Sequence, residues 1–164
     1  MLSGVKSATR AAAVEFLVRK VVPLGVEEGE EGVRKVVGYL PRFLAVKAPE
    51  KTEARGLAVE AIVEVVQAME PHEREGFTAY VVALARGKAK GRLFAVDMVL
   101  AVLPVMLPSE MDESGLEEGS WGLKCVRVLV ERCSDNVGGV RARALTNAAQ
   151  ALDVLSERGV GVAR

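Results

Sequence analysis

One nine-residue pattern occurs four times in this chain without gaps, and it restricts the possible folds more than any other feature. RAAAVEFLV begins at Arg10, RGLAVEAIV at Arg55, RLFAVDMVL at Arg92 and RARALTNAA at Arg141. Counted from each arginine, the third residue on is always alanine: Ala13, Ala58, Ala95 and Ala144. Apolar residues fill the fourth place (Val14, Val59, Val96, Leu145) and the seventh (Leu17, Ile62, Val99, Ala148). They also fill the eighth (Val18, Val63, Leu100, Ala149) and the eleventh (Val21, Val66, Leu103, Leu152). Such offsets share one side of an α-helix. The fifth place is Glu15, Glu60, Asp97 or Thr146, so the opposite side is expected to be polar. The recurring alanine removes bulk where a neighbouring helix must approach closely.

The four arginines stand 45, 37 and 49 residues apart. A constant helix at variable spacing is what loops of different length produce. Between the copies lie other amphipathic segments, VRKVVGYLPRFLAV from Val33, EREGFTAYVVALAR from Glu73 and WGLKCVRVLVERC from Trp121. Each reads as the first helix of a hairpin whose second helix is arginine-led. Pro71 with Glu73 and Glu75 marks a helix start, and Ser114 with Glu117 has the spacing of a capping box. Pro41 should bend the helix it falls in, and Pro23 and Pro104 should end or kink theirs. No stretch alternates with a two-residue period, so no sheet is expected. The expected organisation is one unit over 1–164 with about seven helices: a lone second-type helix at 8–22, then hairpins at 31–69, 71–107 and 117–157. Its terminal helices lack polar caps, as expected of part of a longer array or of ends covered by a partner.

Half of the residues are apolar, and Lys+Arg at 22 balances Asp+Glu at 22. That excludes a disordered tail and a uniformly basic nucleic-acid binder. The longest apolar run, 98–107, is about half of what a bilayer span needs and contains Pro104. The basic, amphipathic first twenty residues have the look of a transit peptide, but Glu15 and the repeat match assign them to the structure, and a cytosolic or nuclear protein is expected. Cys125 and Cys133 are eight apart in one helix, too far along its axis to bond, and read as reduced thiols. The lone histidine, His72, lies in a helix-start loop without a second ligand nearby. Residues 87–91 (GKAKG) lack the Gly-Lys-Ser/Thr of a phosphate loop. No catalytic residue, metal site, cofactor or small-molecule substrate is expected.

Charge is distributed unevenly although it sums to zero. In a hairpin stack, turns inside repeats project along one edge and turns between repeats along the other. The inside turns (3–10, 45–55, 86–92, 133–143) carry a net +8, and the between-repeat loops (24–32, 69–76, 109–120) a net −11. Half of the positive total is the recurring arginine, which is expected to pair with a neighbouring Asp or carbonyl. The densest cluster is Arg86, Lys88, Lys90 and Arg92 in a glycine-flanked turn. It is the candidate DNA-binding set, following the phosphate backbone without sequence preference because only 4% of residues are aromatic.

The repeat spacing surrounds the period of about 40 to 47 residues of HEAT and armadillo units. SDNVGGVRARALTNAAQAL, from Ser134, is similar to the HEAT consensus, in which Asp precedes Val-Arg and an apolar second helix. VLVERCSDNVGGVRARALTNAAQAL (128–152) and APEKTEARGLAVEAIVEVV (48–66) more particularly resemble the D-type (D-three) HEAT subunits of condensin II. The resemblance implies a right-handed α-solenoid and a non-enzymatic scaffold. It further implies kleisin and other condensin subunits as partners, weak engagement of DNA, and a role in mitotic chromosome condensation in the nucleus. Members of that family are many times longer than this chain. A generic HEAT adaptor for transport or phosphatase scaffolding is the alternative. A HEAT-like DNA glycosylase would need an aromatic and acidic cleft, for which Trp121 is the single tryptophan on offer.

Overall fold

The computed structural model describes residues 31–48, 51–107 and 118–158. They form six α-helices: α1 (Glu31–Lys47), α2 (Thr52–Gln67), α3 (Pro71–Leu84), α4 (Ala89–Met106), α5 (Trp121–Arg132) and α6 (Gly138–Glu157). The expected helix at 8–22 and the capping box at Ser114 lie outside the described residues. No strand is present among those described.

The helix boundaries follow from local chemistry. Helix α3 begins with Pro71, whose missing N–H is no loss in a first turn. The Glu70 N–H there donates to the Glu73 carboxylate at 3.2 Å, reciprocating the cap. Helix α5 begins at Trp121, where Ser120 Oγ accepts from the Leu123 N–H at 3.2 Å. The chain enters this cap through Gly119, whose φ of 89° suits a residue without a Cβ. Pro41 sits inside α1, and α4 continues only two residues past Pro104 to Met106.

Each arginine-led helix pairs with the helix before it, as α1 with α2, α3 with α4 and α5 with α6. Like helices also stack on like: α1 on α3 and α3 on α5 in one layer, α2 on α4 and α4 on α6 in the other. This stacking of neighbouring hairpins in two layers is the α-solenoid arrangement. Helix α4 lies centrally and is apolar nearly all round, the mark of a helix enclosed on every side. Phe94, Ala95, Val96, Met98, Val99, Val102 and Leu103 are all buried on it. Against them pack Ile62, Val65 and Val66 of α2, Phe77 and Val81 of α3, Leu129 of α5, and Ala144 and Ala151 of α6. Burial of each large side chain among these stabilises the stack by about 1.5 to 3 kcal/mol.

Two expectations are corrected. The fifth place of the repeat is exposed at Glu60 and Thr146, but Asp97 is buried. Helix α4 has a second-type neighbour on either side, so its polar face is covered as well. Conversely, the fourth and eleventh places are buried in α2 and α4 yet exposed in α6, where Leu145 is 54% and Leu152 51% accessible. Among the described residues no second-type helix follows α6 to cover them.

The buried Asp97 binds the second-type layer together. Its Oδ2 accepts from Arg55 Nε of α2 at 2.5 Å, and its Oδ1 from Arg143 Nε of α6, also at 2.5 Å. Asn147 Nδ2 of α6 donates to the same Oδ1 at 3.2 Å and to the Val96 carbonyl at 2.9 Å. Three successive repeats thus meet at one carboxylate.

Candidate nucleic-acid and partner interface

The inside turn between α3 and α4 carries the cations singled out by the sequence. Helix α3 ends at Leu84, Lys88 is the residue preceding the first turn of α4, and Lys90 lies within that turn. Arg86, Lys88 and Lys90 are exposed, and none has an ion-pair partner among the described residues. The first turn of α4 contains no acidic residue. Cations there face the positive end of the helix dipole, an arrangement unfavourable by a few tenths of a kcal/mol each in the absence of an anion.

Arg92 is placed differently. Its Nε and Nη2 donate to the Asp135 carboxylate at 2.8 and 3.0 Å, its Nη2 also to Asn136 Oδ1 at 3.0 Å, and its Nη1 to the Gly87 carbonyl at 2.8 Å. With its side chain only 15% exposed, Arg92 is engaged in joining the second hairpin to the third. The four residues of the candidate set therefore separate into three outward cations and one internal clasp. The recurring arginine does as expected of it in the described copies: Arg55 binds Asp97, Arg92 binds Asp135, and Arg141 Nη1 donates to the Asp135 carbonyl at 2.6 Å.

Asp135 organises this junction. Besides Arg92 it accepts from Arg132 Nη1 at 3.1 Å and from the Val137 N–H at 2.9 Å, just ahead of α6. The hydrogen bond from Arg92 is the largest influence holding its carboxyl below the ordinary value. Burial opposes that shift, and the Val137 N–H and the charges of Arg92 and Arg132 add to it. Asp97, Asp135, Asn136 and Asn147 were not singled out as individual polar anchors by the sequence. The stretch 128–152 carries the signal, since it holds Asp135, Arg141, Arg143 and Asn147 at the spacing these contacts need.

Other candidate groups have ordinary surroundings. His72 is exposed at the second residue of α3. Lys124 Nζ lies 3.7 Å from the centroid of the Trp121 ring, covering one of its faces. Cys125 is buried and Cys133 half-buried, both as free thiols, and burial pushes Cys125 up to about 12. No described helix is long and apolar enough to cross a membrane.

The sequence has relatives among known proteins. The chain is 42% identical over 154 residues, 92% of its length, to the condensin-2 complex subunit CAP-D3 of Arabidopsis thaliana. The chain is D3-like, similar to a segment of a condensin II HEAT subunit. It is also 29% identical over 137 residues to condensin-2 complex subunit D3 of Mus musculus, and 28% identical over 134 residues to subunit D3-L of Xenopus laevis. These matches cover 80% and 78% of the chain. The chain spans 9 to 12% of the length of these curated relatives. No protein-family model and no solved structure matches it. For a D3-type sequence the informative surfaces are the two edges and the open helix faces, because the centre is filled with side chains and ion pairs.

Proposed function

We propose that the chain acts as a non-enzymatic scaffold of condensin II type, contributing to mitotic chromosome condensation in the nucleus. In this reading it holds the kleisin and other condensin subunits on its open helix faces. It also engages the DNA backbone weakly, without sequence preference, through Arg86, Lys88 and Lys90. The proposal includes the right-handed sense of the superhelix, which rests on the family resemblance. The observation that carries the reading is the similarity to the Arabidopsis D3 subunit across 92% of the chain. Two features of the fold support it. Among the described residues, Leu145 and Leu152 offer α6 an uncovered apolar stripe, and the three cations of the α3–α4 turn stand without acidic partners.

Retention of a kleisin fragment by the purified chain tests the scaffold part, and absence of retention removes it. The DNA part is tested by duplex retention at low salt. Three phosphate contacts give log K a slope of about −2.7 against log salt, and Lys88→Glu with Lys90→Glu should reduce that slope to about −1 while weakening binding. Unchanged retention in this variant removes the DNA part.

A further inference from the structure

We infer that the cleft beside the α3–α4 turn is a docking site for an acidic peptide segment carrying one bulky apolar side chain. The cleft has a volume of about 210 Å³ and lies between the end of α1, the start of α2 at Arg55, the end of α3 and the start of α4. Its walls include Val46, Tyr80, Leu84 and Leu93, and Lys88 and Lys90 stand among its lining residues. Pockets that enclose small-molecule ligands run to roughly 300 to 1,000 Å³. This one is smaller and suits a single large side chain.

Three independent features converge there. The walls are apolar, so the cleft attracts a hydrocarbon or aromatic group rather than a phosphate. Among the described residues the lysines have no acid of their own, and they oppose the dipole of α4, so carboxylates arriving at this rim relieve an unfavourable arrangement. An exposed apolar stripe also runs along α1 into the cleft: Tyr39, Phe43 and Val46 are 65%, 36% and 62% accessible. A DNA backbone satisfies the lysines but leaves the cleft and stripe unused. A peptide with acidic residues around an apolar anchor uses all three. The inference names the chemistry of one partner and rests on the scaffold reading only in treating this edge as a binding surface.

The test uses a short fluorescein-labelled peptide of glutamates around one central phenylalanine, titrated by anisotropy with the full chain at low salt. A matched peptide with central alanine and a short DNA duplex are run in parallel. The phenylalanine peptide is expected to bind about tenfold or more tighter than the alanine one, as burial of one large apolar group provides. Val46→Ser, a neutral change at an exposed position the fold tolerates, should abolish that preference and leave DNA retention unchanged. Lys88→Glu with Lys90→Glu should abolish peptide binding without loss of helicity, because acids suit the start of α4. Equal binding of the two peptides, no peptide binding, or indifference to Val46→Ser would each overturn the inference. Duplex retention without peptide binding would overturn it and leave the DNA reading standing. Peptide binding by a chain that ignores the kleisin fragment would support it while removing the scaffold reading.

Discussion

Replacing Asp97 by alanine is the perturbation that reaches furthest into this structure. The carboxylate is 6% exposed and receives Arg55, itself 3% exposed, together with Arg143 and Asn147. Without it, the buried guanidinium of Arg55 loses a carboxylate at 2.5 Å, and two groups on α6 lose their shared acceptor. Breaking a buried pair by removing one partner costs about 3 to 5 kcal/mol. In a chain of this size each kcal/mol lowers Tm by about 2 to 4 °C, so a fall of roughly 6 to 20 °C is expected. Thermal and urea unfolding followed by circular dichroism would measure it. The partner variant Arg55→Met and the double variant Arg55→Met with Asp97→Leu complete a cycle. Because a well-packed apolar replacement removes both charges together, the double variant should recover part of the loss. If Asp97→Ala costs less than about 1 kcal/mol, or the two changes simply add, the carboxylate does not join the repeats as described.

Acid should weaken the Arg92 clasp. Asp135 lies below its ordinary value of 3.8 in the folded chain, so its contribution is full above that value and is lost as pH falls through the folded value. The stability difference between the natural chain and Asp135→Asn should therefore shrink on acidification, and a pH-independent difference would contradict the assignment. At mildly alkaline pH the buried Cys125 should react with a thiol reagent far more slowly than Cys133; two fast thiols in the folded chain would show that α5 is not packed as described. Leu145→Lys with Leu152→Lys should reduce self-association and hydrophobic-dye binding of the isolated chain without loss of helicity. Unchanged dye binding would place the exposed apolar surface elsewhere.

The hairpins and their register were legible because alanine and branched apolar residues recur at fixed offsets from an arginine. A pattern common to all copies reports what the copies share, however, and cannot distinguish the central helix from those beside it. That is why Asp97 reads as solvated in sequence while Glu60 and Thr146 at the same place are exposed in the structure. The same limit applies to Leu145 and Leu152, whose register fits burial but whose neighbours leave them open. The basic turn was also legible, because four cations in seven residues need no tertiary information. Which of the four is internal was not legible: Arg92 finds Asp135 across 43 residues of chain, a separation set by loop lengths rather than by any local spacing. The cleft beside Lys88 and Lys90 was equally hidden, since its walls come from four helices.

The stacking of successive arginine-led helices is tested most directly by a distance between α2 and α6. Spin labels at the exposed positions Glu64 and Gln150, read by pulsed electron resonance, would report it in the intact chain. With α4 between them, two packing steps of about 8 to 10 Å separate the helix axes by roughly 16 to 20 Å, and a single narrow distribution consistent with that separation is expected. A distribution matching direct contact of α2 with α6, one packing step of about 8 to 10 Å, would mean that the helices surround a common centre and that the layered array is wrong.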